Sequence, residues 1–107
     1  MCGITGYIAA EKLPLSEMMM ALNHRGPDAQ GTFECDHQQV NIGLGHTRLS
    51  ILDLSEKGNQ PFASKDGKIQ LIMNGEIYNY LELKERHFKH EQFRSNTDTE
   101  VALKLYE

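Results

Sequence analysis

Met1-Cys2-Gly3-Ile4-Thr5-Gly6-Tyr7-Ile8-Ala9-Ala10 opens the chain. From Gly3 to Ala10 the segment is short, apolar and partly β-branched, which reads as a buried strand. A strand beginning there puts the Cys2 thiol at a strand end. Removal of Met1, which a small second side chain favours, leaves a thiol and a free α-amine on neighbouring atoms. α-Amines ordinarily titrate at about 7.7–8.0 and thiols at about 8.5, so near neutrality such an amine takes the thiol proton, directly or through a water. A nucleophile of this kind carries its own base and needs no separate histidine or aspartate.

Outward from that strand the pattern is strands first, with helices between and after. Pro14-Leu15-Ser16 opens a helix with Ser16 as N-cap and Met18-Met19-Met20 as core filler, and Asn23-His24-Arg25-Gly26-Pro27-Asp28 ends it. Gly31 to Cys35 and Val40 to His46 form a hairpin around a polar turn at Asp36-His37-Gln38-Gln39. The Asp66-Gly67 turn predicts that Ile69 to Met73 pairs with residues near Phe62-Ala63. Asn79 with Glu82 resembles a capping arrangement ahead of a helix over 80–87, and Thr97-Asp98-Thr99-Glu100 is a capping box opening a last helix that still runs at Glu107. Strands and helices in this order give an α+β class.

A length of 107 residues fits one domain. Hydrophobic content of 39%, charged content of 24% and a net charge of −4 match an ordinary globular protein, and the scattered basic residues leave no stripe that would neutralise nucleic-acid phosphates. No apolar stretch approaches a membrane span, and no basic region precedes the apolar start, so the expected location is cytoplasmic. Two cysteines, Cys2 and Cys35, make no disulfide framework. Cys35-Asp36-His37 has no second Cys/His pair at zinc-like spacing, so no metal site is expected.

If Cys2 attacks a carbonyl, the site must supply oxyanion donors and charged groups that orient the substrate. Asn74-Gly75 follows a strand and offers a side-chain amide and an unobstructed backbone N–H, or is simply a turn. Arg48 can grip a carboxylate in bidentate fashion, or be an exposed arginine. Asp98 suits the first turn of a helix through the dipole, and can also receive an ammonium; Glu76 shares that role or is solvated. His24, His46 and the other histidines have no partner that spacing identifies and are read as structural or surface residues.

Six segments, Cys2-Gly3-Ile4-Thr5-Gly6, His24-Arg25-Gly26-Pro27-Asp28 with Gly31, Gly45 to Leu54, Asn59-Gln60-Pro61, Asn74-Gly75-Glu76-Ile77-Tyr78-Asn79 and Ser95 to Glu100, stand in one order along nearly the whole chain. Together they resemble the class II, N-terminal-nucleophile glutamine amidotransferase domain of the glutamine-hydrolysing asparagine synthetase family. The resemblance implies Cys2 as nucleophile, Arg48 on the α-carboxylate of L-glutamine, Asn74 and Gly75 as oxyanion hole, and Glu76 and Asp98 on the α-ammonium. Backbone groups from Leu49 through Ile51 to Leu52 help line the pocket. It also implies two stacked antiparallel sheets between helical layers. The family's domain is longer than this chain, so the chain is expected to be its N-terminal part, with an incomplete sandwich whose bare apolar face favours homo-oligomerisation. No cofactor is implied for this chain. ATP and magnesium belong to a separate synthetase domain acting on aspartate. The alternatives are a non-catalytic glutamine-binding fragment, or an amidotransferase serving another nitrogen acceptor.

Overall fold

The computed structural model describes residues 1–107. Three strands form one antiparallel sheet: β1 (Gly3–Ala9), β2 (Ala29–His37) and β3 (Val40–Arg48), in the order β1-β3-β2. The register sets Gly3 opposite Thr47, and Ala29 opposite Arg48, so the start of β1, the start of β2 and the end of β3 meet at one sheet edge. That edge is where Cys2 and Arg48 come together.

β1 is buried on one face only, and the expectation of a fully buried strand is corrected accordingly. Tyr7 is buried with Leu15 and Met19 of the short helix α1 (Leu15–Met20), whereas Ile4 and Ile8, pointing the other way along the pleat, are 45% and 76% exposed. Met19 rests on Gly45, where any Cβ would overlap its sulfur. Burying one such side chain contributes about 1.5–3 kcal/mol. Of the three methionines read as core filler, Met19 fills the core and Met20 is 74% exposed. The N-cap is Pro14, without a side-chain cap bond, rather than Ser16, because the helix begins at Leu15, two residues before the start that a Ser16 cap would require.

The hairpin turn is tighter than the four-residue loop expected. β2 runs through His37 and β3 starts at Val40, leaving Gln38 and Gln39 as the turn, both left-handed at φ 49° and 65°. Glutamine is a poor resident of that region, and Asn-Gly is the pair that suits a two-residue turn with both φ positive. Replacing Gln38 by Asn and Gln39 by Gly is expected to stabilise the chain by about 1 kcal/mol, read as a higher urea midpoint with unchanged slope.

Two further strands, β4 (Phe62–Ala63) and β5 (Gln70–Leu71), pair as the Asp66-Gly67 turn predicts, with Phe62 opposite Leu71. Ser64 and Asp66 tighten that turn through an O–H···O bond of 2.7 Å, and Gly67 holds φ 73°. The ladder ends at Leu71, so the strand expected through Met73 is shorter, and Met73 lies beyond it. The helices α2 (Tyr80–Phe88) and α3 (Asp98–Tyr106) follow. Asn79 makes no side-chain cap bond to α2. At α3 the Thr97 hydroxyl accepts from Glu100 N–H, but the Glu100 carboxylate does not return to the cap. Instead, 2% exposed, it accepts from Arg94 N–H at 2.8 Å, Ser95 N–H at 2.7 Å and Ser95 O–H at 2.7 Å. A buried carboxylate needs that many donors, and the turn before the helix supplies them. The architecture is α+β with antiparallel sheets and three α-helices, and no helix is long and apolar enough to cross a membrane.

Candidate active site

The end of β3 and the loop after it build one side of a cleft. Its lining includes Cys2, Arg48, Leu49, Ile51, Gly75, Glu76 and Asp98. The Cys2 sulfur lies against the Leu49 backbone, accepting Leu49 N–H at 3.3 Å, with the Leu49 carbonyl 3.7 Å away. Arg25 Nε donates to the Cys2 carbonyl at 3.0 Å, fixing the backbone that carries the thiol. Gly26 lets that arginine's segment cross β3 directly, since any Cβ there would overlap the Thr47 and Arg48 backbone. Asp28 then holds the exit of β3, its N–H donating to the Arg48 carbonyl at 3.0 Å and its carboxylate accepting Ser50 N–H at 2.8 Å.

Arg48 is buried, not an exposed arginine. Nη1 donates to the Ser55 carbonyl at 2.6 Å and to Asn59 Oδ1 at 2.9 Å, and Nη2 donates to the Asp53 carbonyl. Nε makes no hydrogen bond within the chain. Asp53 pins the same loop to the approach of α3. Hydrogen bonds from the Ser55 hydroxyl, Asn96 N–H and Ser55 N–H lower its pKa to about 2. Asp98 is 5% exposed, and one carboxylate oxygen accepts Ile77 N–H at 2.8 Å.

The remaining residues read from the sequence are less enclosed. Glu76 is exposed on the cleft rim and Ile51 is 59% exposed beside it. Asn74 is exposed and stands outside the lining, while Gly75 is within it. The structure thus gathers the cysteine, the arginine, the glycine and both carboxylates, and leaves the Asn74 side chain at the margin.

His46 differs from the surface or structural role read for it only in how deeply it is used. It is fully buried, and Nε2 donates to the Met73 carbonyl at 3.2 Å, while Nδ1 has no partner. Burial pushes its pKa below the ordinary 6.5, with a smaller push from the Arg48 cation and an opposing pull from the Met73 carbonyl. The unfolded chain therefore takes up a proton near pH 6.5 that the folded chain refuses until lower pH, so stability falls as pH drops below that point. His46→Gln, which keeps an N–H donor, is expected to flatten the loss of stability between pH 7 and pH 5, measured by urea unfolding at each pH. An unchanged pH slope would contradict it.

A strand-end thiol sharing one cleft with a guanidinium and two carboxylates is equipment for holding a small zwitterion beside a sulfur atom. A family model described as "Glutamine amidotransferase domain" matches residues 1–107, and the chain belongs to that family. It is 43% identical over 115 residues to asparagine synthetase [glutamine-hydrolyzing] 2 of Bacillus subtilis, covering 100% of this chain and 15% of that protein. It is 39% identical over 115 residues to asparagine synthetase [glutamine-hydrolyzing] 1 of the same organism, covering 99% of this chain and 17% of that protein. Amidase chry2 of Gibberella zeae is 39% identical over 123 residues, covering 99% of this chain and 18% of that protein. The chain therefore spans less than a fifth of the length of these relatives.

Proposed function

We propose that the chain is the N-terminal part of a class II glutaminase domain in which Cys2, freed by removal of Met1, hydrolyses the side-chain amide of L-glutamine. The observation that carries the reading is the seating of the Cys2 sulfur on Leu49 N–H at 3.3 Å, at the mouth of the cleft that also holds Arg48, Gly75, Glu76 and Asp98. Met1 is 72% exposed, so a processing enzyme can reach it. Its loss converts the Cys2 nitrogen from an amide to a primary amine beside the thiol.

In this mechanism the thiolate attacks the amide carbon, and the oxyanion that forms is met by Gly75 N–H and the Asn74 amide, whose side chain must swing in from the margin. Each such donor is worth about 2.7–4 kcal/mol of transition-state stabilisation. The α-amine, holding the thiol proton, passes it to the departing nitrogen, and ammonia leaves. Water then cleaves the γ-glutamyl thioester to glutamate and restores the thiol. The unengaged Nε of Arg48 and the charge of its guanidinium suit the α-carboxylate, and Asp98 with Glu76 suits the α-ammonium. The wider fold we assign is the N-terminal-nucleophile sandwich, of which the β1-β3-β2 sheet is one layer. The ammonia serves asparagine synthesis in a synthetase domain that uses ATP and magnesium, in cis or as a partner; the amidase relative makes another acceptor the second reading. The test is ammonia release from glutamine by protein shown by intact mass to lack Met1, and no release would overturn the reading.

A further inference from the structure

We propose that Gln60 is a positioning residue that holds the oxyanion edge and the ammonium-binding edge of the cleft at a fixed separation; this rests on the glutaminase reading above. Gln60 is 8% exposed and lines the cleft. Its Oε1 accepts Met73 N–H at 2.6 Å and its Nε2 donates to Thr99 Oγ1 at 3.1 Å. Met73 immediately precedes Asn74-Gly75, and Thr99 immediately follows Asp98. One side-chain amide therefore spans from the backbone that leads into the oxyanion pair to the helix turn that presents the carboxylate.

Nothing in the sheet does this work instead. β5 ends at Leu71, so no ladder partner holds Met73, and its two backbone groups go to side chains: N–H to Gln60 and C=O to the fully buried His46. The bridge itself stands on the main sheet, because Gly31 of β2 lies so close to the Gln60 carbonyl that any Cβ would overlap it. An amide suits the position because one end accepts and the other donates, which matches a backbone N–H on one side and a hydroxyl on the other. Leucine fills similar space and leaves the Met73 N–H orphaned.

Gln60→Leu and Thr99→Val are compared with the parent for glutamine hydrolysis, with the folded fraction of each protein read from its urea unfolding curve. Per folded molecule, Gln60→Leu is expected to lower kcat for ammonia release 10- to 100-fold and raise KM for glutamine several-fold. Thr99→Val cuts the bridge only at the helix end, so it is expected to raise KM several-fold with kcat within about threefold. Gln60→Glu, which can still accept from Met73 N–H and take the Thr99 hydroxyl, is expected to recover most of kcat. A purely structural role would reduce the folded fraction and leave kcat per folded molecule and KM unchanged, and that result would overturn the proposal. If Gln60→Leu does not fold, an unchanged KM in Thr99→Val overturns it alone. A parent protein that releases no ammonia removes the glutaminase reading and this inference with it, whereas an active parent with unaffected variants removes only the inference.

Discussion

Cys2→Ala is expected to abolish ammonia release from glutamine, by at least about 10³-fold in kcat. The size follows from what else the cleft holds. Thr97 and Thr99 are the hydroxyls that line it, and both are engaged: Thr97 Oγ1 accepts Glu100 N–H and lies 2.8 Å from Ser95 Oγ, and Thr99 Oγ1 accepts from Gln60. The other thiol, Cys35, is exposed on β2 toward the hairpin turn, well away from the end of the sheet where Cys2 meets Leu49. No second nucleophile is placed to take over. Cys2→Ser keeps the shape and the bond from Leu49 N–H but replaces a good nucleophile with a poor one, so a loss of similar order is expected. Measured on protein free of Met1, equal rates for parent and Cys2→Ala would exclude the mechanism.

Arg48→Leu carries the second large effect, because this arginine serves the loop as well as the cleft. Its guanidinium organises residues 53–59 by donating to the Ser55 carbonyl, Asn59 Oδ1 and the Asp53 carbonyl, and Gly58 packs so tightly beside it that any Cβ would overlap Nη2. Hydrogen bonds to a charged group contribute about 1.5–3 kcal/mol each, and removing the donor leaves acceptors unpaired in a mostly buried place. Destabilisation of about 3 kcal/mol or more is expected in urea titration, together with a rise of at least about 10²-fold in KM for glutamine, since the guanidinium proposed to take the substrate carboxylate is lost at the same time. Arg48→Lys restores charge without the fork and is expected to recover only part of either effect. A stable Arg48→Leu variant with parental KM would contradict both roles.

Strand periodicity, the Asp66-Gly67 turn and the Thr97 cap were legible because each rests on neighbouring residues. The β1, β2 and β3 assignments, the β4–β5 pairing and the start of α3 all follow from such local rules. What escaped was set by tertiary contact. The tight turn at Gln38-Gln39 lacks the Asn-Gly signal that marks its geometry, and is imposed by the register of the two strands. Glu100 reads as the second half of a capping box, yet the Arg94-Ser95 turn folds its amides onto the carboxylate first. Glutamine, histidine and arginine at positions 60, 46 and 25 stand in segments that carried the family resemblance, but their partners lie 13, 27 and 23 residues away. No periodicity reports a contact of that kind. The candidate nucleophile, cation and carboxylates were legible as chemistry, and only folding reveals that the arginine's other donors belong to the loop.

The antiparallel register divides the sheet into two unequal ends. Thr47 and Gly3 meet beside the sulfur, while Val40 and His37 meet at the far tip, roughly 25 Å away at the usual rise per residue. A fluorophore or affinity handle grafted between positions 38 and 39 would therefore ride on the molecule as a passenger.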